Sequence, residues 1–137
     1  MINGLFDNST IPYLSETVNF AQTRHNILAG NVANLDTPGY KTRDLPVDAF
    51  QQRLAEAIQA RHEWHESLTS PLLAAGELDP LGDVRSSMNS ILRHDDVNVG
   101  MEQQVLEISK NNMLHNLAIT IMTNQFQLLQ TMISERV

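Results

Sequence analysis

The chain has no cysteine among its 137 residues. Disulfides, thiolate zinc sites and a cysteine nucleophile are therefore excluded. Aromatics are scarce, at 5% against 42% hydrophobic residues overall, with one Trp, two Tyr and four Phe. Burial must then come from Leu, Ile, Val, Met and Ala, which is lean for a compact globule and ordinary for packed helices. Bases are outnumbered, nine against sixteen acids, for a net charge of −7. An acidic chain without a basic patch is a poor nucleic-acid binder, because that affinity comes largely from Lys and Arg on phosphates. No apolar run of about 18 residues occurs, so no transmembrane segment is expected. Met1–Pro12 has neither a basic n-region nor an apolar h-region, so no cleaved signal peptide is expected either. Export, if it occurs, must take a route without one.

What is present is a long pattern at each end. Ile11, Leu14, Val18, Ala21, His25, Leu28, Val32 and Leu35 follow one another at steps of three and four. That heptad spacing predicts one helix seated on another over 10–36. Thr10 or Ser15 could cap it, and Pro12 suits its first turn. Gly30 inside it reads as a point of close packing. Met101, Val105, Ile108, Asn112, His115, Ile119, Met122, Phe126, Leu129 and Ile133 repeat the spacing at the other end. Leu106, Met113, Leu117, Ile121, Leu128 and Met132 form a second stripe beside it. The spacing predicts a helix over 97–137 with an apolar face wider than one partner can cover, so neighbouring subunits are expected on it.

Between the two patterns the chain breaks. Pro38 disfavours helical geometry at Thr37. Thr37-Pro38-Gly39-Tyr40 fits a type II turn, in which Pro presets φ and Gly accepts φ > 0. Asn34 and Asp36 can bond the backbone groups released at the helix end. Residues 37–50 read as turn and extended segment, with helix possible over 51–65. The whole of 51–96 reads as a variable, partly flexible middle, because Pro, Gly and Ser recur and no period is held. That middle is also acidic: residues 46–96 hold nine acids against four bases. The fold class expected is all-α, a single domain over 1–137 with its two end helices paired as a coiled coil.

Chemistry finds little support. His62 and His65 stand three apart, whereas zincin helices need His at i and i+4, and no third ligand is evident. His25 and His115 fall on the seams, where an imidazole more often bonds within an interface than binds metal. There is no nucleophile elbow, phosphate loop or dinucleotide fingerprint. No enzyme, no metal and no cofactor are expected.

Ala33-Asn34-Leu35-Asp36-Thr37-Pro38-Gly39-Tyr40 resembles the signature A-N-x-x-T-P-G-Y/F of the bacterial flagellar rod, hook and hook-associated axial family. Asn98-Val99 with Glu102 resembles the N-V-x-x-E that opens that family's C-terminal helix, although Gly100-Met101 departs from the acidic residues usual there. The resemblance covers about 10–50 and 96–137, and the short length is similar to that of proximal rod members. It implies a structural subunit of the periplasmic rod, the drive shaft between the inner-membrane ring and the distal rod and hook. It implies self-assembly through helix–helix contacts at Leu14, Val18, Ala21, Leu28, Val32, Leu35, Val105, Ile108, Ile119, Met122, Phe126, Leu129 and Ile133. Further partners implied are the rod proteins FlgC, FlgF and FlgG, the adaptor FliE at the inner-membrane ring, and the flagellar type III export apparatus. The competing reading is a soluble helical adaptor or export chaperone, which would have no need of Thr37-Pro38-Gly39-Tyr40.

Overall fold

The computed structural model describes residues 9–66, 81–88, 91–92 and 100–134, and the side chains of these except at 61–66 and 91–92. Asn98, Val99, His94 and the stretch 67–80 lie outside the described residues, as do the side chains of His62 and His65. The architecture is helical: α1 (Ile11–Ala33), α2 (Val47–Glu66), α3 (Gly82–Ser86) and α4 (Met101–Ser134), with two-residue strands β1 (Arg43–Asp44) and β2 (Ile91–Leu92) paired in a small sheet. Contacts divide the chain into two compact units, Met1–Asp44 with Leu92–Val137, and Leu45–Ile91.

The first unit is a hairpin of α1 and α4. Helix α1 starts at Thr10, whose own side chain makes no capping bond; the Ile11 amide is instead received by Ser9 Oγ at 3.3 Å. Pro12 sits in the first turn, where a missing N–H costs nothing. The helix stops at Ala33, three residues short of the limit read from the sequence. Asn34 caps it by sending both its backbone N–H (3.2 Å) and its side-chain Nδ2 (2.8 Å) to the Gly30 carbonyl. Leu35 consequently lies beyond the helix, half-buried in the turn. Gly30 is not a close-packing point within this chain: a methyl placed there would meet nothing within 4 Å.

Helix α4 has 34 residues against 23 in α1. At about 1.5 Å per residue it outruns its partner by about 16 Å. Its first turn is anchored by Gly100, whose carbonyl accepts from the amides of Gln103 and Gln104.

In the second unit, α2 packs on α3 through Phe50, Ala57, Leu81 and Val84, all buried. The extended segment expected over 37–50 is shorter than that, because α2 begins at Val47. Pro46 stands just before the helix, where it lacks nothing the helix needs, and its carbonyl accepts the Phe50 amide at 3.0 Å. Asp48 lies in the first turn, where a negative charge suits the helix dipole.

Candidate assembly surface

The turn has the geometry its residues dictate. The Tyr40 amide donates to the Thr37 carbonyl at 3.1 Å, and Gly39 takes φ of 78°. That is the bond and the positive φ of a type II turn. Ala33, Thr37, Pro38 and Gly39 are exposed, while Asn34 and Tyr40 are half-buried.

Beyond the turn the chain is tied back to α1 by Asn31, which is 1% exposed. Its Oδ1 accepts from Tyr40 Oη and from the Arg43 amide, each at 3.1 Å. Its Nδ2 donates to the Arg43 carbonyl at 2.6 Å and reaches Gln104 Oε1 on α4 at 3.4 Å. One buried amide thus joins three pieces of chain: α1, the post-turn segment and α4.

Two turns earlier, Arg24 does the same with charge. Its Nε and Nη2 both donate to the Asp44 carboxylate at 2.9 Å, and Nη2 also meets Glu107 Oε2 of α4 at 2.8 Å. Asp44 foremost, and Glu107 after it, raise the Arg24 pKa against the effect of burial. Glu107 in turn accepts from Lys110 Nζ at 3.0 Å. Lys110 first, then Arg24, hold its carboxyl below the usual glutamate range although burial opposes them. A two-pronged Arg–carboxylate pair is geometrically specific.

The contact line between the helices differs from the one the apolar spacing suggests. On α4 the buried residues are Gln104, Asn111 and Ala118, flanked by half-buried Ile108, His115, Met122, Gln125 and Leu129. Among the expected seam residues, Ile108, Met122 and Leu129 therefore face the hairpin. Val105, Ile119, Phe126 and Ile133 do not: they are 50%, 41%, 45% and 72% exposed. The seam is displaced by one residue at every second step, because Arg24 and Asn31 take polar partners and small Ala21 lets Asn111 reach its carbonyl. On α1, Ala21 and Leu28 are buried, and Leu14, Val18 and Val32 are half-buried at the margin. Tyr13, Glu16, Phe20, Arg24 and Asn31 complete the buried face of the helix.

What remains is a broad exposed apolar face on α4. Leu106, Met113, Leu117, Ile121, Leu128 and Met132 are all exposed, Met113 by 76%. Residues 111–134 contain no Asp, Glu, Lys or Arg. Near the start of α1 this face runs into a groove of about 250 Å³ lined by Thr10, Ile11, Leu128, Leu129 and Met132 among others. Contiguous apolar surface of this kind marks a site of association. Among the described residues no cluster of three metal-ligating side chains occurs, and no helix is long and apolar enough to cross a membrane.

Arg24, Asp44, Glu107, Asn31, Gln104 and Gln125 were not singled out by the sequence reading. One signal was available: Gln104, Asn111, Ala118 and Gln125 recur at steps of seven, a heptad column without a large apolar residue.

Two helices that clasp each other partly through polar groups and leave a wide apolar face outside define a helical assembly subunit, with no catalytic constellation among the described residues. The comparisons give that class a particular family. Residues 14–41, most of α1 and the turn after it, match the family described as "Flagella basal body rod protein". The flagellar basal body rod protein FlgB of Salmonella typhimurium is 25% identical over 125 residues, covering 88% of this chain and 89% of its own. FlgB of Escherichia coli is 21% identical over 88% of this chain and 89% of its own. FlgB of Aquifex aeolicus is 61% identical over 28 residues, covering 20% of this chain and 23% of its own. By these matches the chain is similar to the flagellar basal body rod proteins, and over most of its length to FlgB. The similarity supports a structural rod subunit rather than an enzyme.

Proposed function

We propose that the chain works as one rod-subunit domain over 1–137 whose exposed α4 face is its polymer contact. The observation carrying this reading is the stretch 111–134, uncharged and lined by exposed Met113, Leu117, Ile121, Leu128 and Met132. Fully covering one such side chain is worth about 1.5–3 kcal/mol. A few per subunit suffice to hold a shaft whose every copy repeats the contact. The first partner is another copy of the same chain, since a face without charge meets a like face without repulsion. The neighbours along the shaft are FlgC, FlgF and FlgG, and FliE joins the base to the inner-membrane ring. The subunit reaches the periplasm through the flagellar type III apparatus without a cleaved signal. Of the contacts named from the sequence, this reading assigns Val105, Ile119, Phe126 and Ile133 to the surface between subunits rather than to the hairpin. In sequence, Asn98-Val99 with Glu102 follow the family pattern, and Glu102 lies exposed in the first turn of α4.

The test is Leu128→Glu and Leu117→Glu, scored separately for secretion and for incorporation into purified basal bodies. Both variants should be folded and secreted, since both positions are exposed, yet absent from rods. Normal incorporation of both would refute the assignment of this face.

A further inference from the structure

The hairpin seam is poor in the apolar residues that would stabilise it. Every seventh residue of α4 turned toward α1 is polar or small: Gln104, Asn111, Ala118 and Gln125. Asn111 is 2% exposed, and its Nδ2 donates to the Ala21 carbonyl at 2.7 Å, while its Oδ1 has no partner among the described residues. Gln104 meets Asn31, and Gln125 Nε2 donates to Thr10 Oγ1. Glu107 stands on Arg24 between them. A half-satisfied buried amide is a stability cost that a leucine would not incur. Stability therefore does not account for Asn111.

Register does. The apolar residues of α1 repeat by seven, as Leu14, Ala21 and Leu28, with Val18 and Val32 two heptads apart across His25. Sliding α4 by seven residues would keep apolar opposite apolar, so hydrophobic matching alone cannot choose among such alignments. The polar groups do choose. A slide would set Asn111 against Leu28 or Leu14 instead of Ala21, whose small side chain lets the amide reach the main chain. It would set Glu107 against Asn31 or Thr17 instead of Arg24.

We propose that Asn111 and its heptad column, together with Glu107, are the residues that fix the register of α4 against α1, at the expense of hairpin stability. The selection is made by contacts that only one alignment satisfies: an amide on the Ala21 carbonyl, a carboxylate on Arg24 and an amide on Asn31. Register in turn decides how far α4 projects past α1, and hence which apolar residues are presented outside. The inference concerns the hairpin itself and stands apart from the identity of the neighbours.

The measurement is a distance between two nitroxide labels at Gln22→Cys and Gln130→Cys, both exposed positions in a chain with no other cysteine. The labelled full-length chain is diluted into unlabelled protein, so that only distances within one chain are read. The parent should give one distance. Asn111→Leu combined with Glu107→Gln should give a second population displaced by about 10 Å, seven residues of helix rise. Asn111→Leu alone should give a smaller share of the same population and a raised melting temperature. An unchanged single distance in both variants overturns the proposal. So does a second distance already present in the parent, or loss of helical circular dichroism without a second distance.

Discussion

Asn31 ties three stretches of this chain together through one buried side chain. A buried amide with all its groups engaged is specific because each partner is stranded if it leaves. Asn31→Ala strands the Arg43 amide and carbonyl and frees Tyr40 Oη and Gln104. Leaving such groups unmade costs about 1–3 kcal/mol each where they stay buried, so a loss of about 3 kcal/mol is expected by urea unfolding. Tyr40→Phe removes one bond and should cost about 1 kcal/mol. Glu107 supplies a pH dependence. Its folded pKa is depressed, so its stabilising contribution is present above the ordinary value of 4.5 and is lost as pH falls through the lower folded value. Arg24, whose pKa is raised, stays charged throughout that range and adds no titration of its own. The urea midpoint should therefore fall more between pH 6 and pH 3.5 in the parent chain than in Glu107→Gln. Equal falls in the two would show that Glu107 is not held by Lys110 and Arg24.

At the scale of elements, the turn is where sequence and geometry agree most closely. Gly39 sits at φ of 78°, and a side chain there would meet nothing within 4 Å. The restriction is thus in the backbone and not in the space around it. Gly39→Asn, which tolerates left-handed geometry, should cost little. Gly39→Val should cost about 1–2 kcal/mol or more and misdirect the chain that follows. Thermal melting of the two variants compares them directly, and equal melting temperatures would mean that the turn does not hold Gly39 at positive φ. The helices were legible for the same local reasons: Pro38, Gly39 and the three-four spacing act within a few residues. The seam was only partly so. Counting apolar residues favoured Val105, Ile119, Phe126 and Ile133, whereas α1 selects Gln104, Asn111, Ala118 and Gln125. That choice depends on Arg24 and Asn31 on the other helix, and on Asp44 and Arg43 beyond the turn. On α4 itself the only trace of that choice is the heptad column of Gln104, Asn111, Ala118 and Gln125, which lacks a large apolar residue. The start of α2 at Val47 escaped notice because Pro46 reads equally as an extended residue or as the residue before a helix.

For the whole molecule, the physical theme is a division of labour. Polar residues make the specific contacts of the hairpin beside buried Phe20, Ala21 and Leu28, and most large apolar residues of α4 face outward. A protein meant to act alone would do the reverse, because an exposed apolar helix face invites aggregation. A subunit whose working state is a polymer can afford a weak, specific hairpin, since assembly supplies the missing burial. The central claim is therefore that the exposed face of α4 is covered in the rod. Leu117→Cys places a single thiol on that face in a chain that has none. Labelling by a soluble maleimide, read on this chain by mass spectrometry, should be rapid for the isolated protein and slowed at least about tenfold in purified rods. Equally rapid labelling in both states would contradict the account.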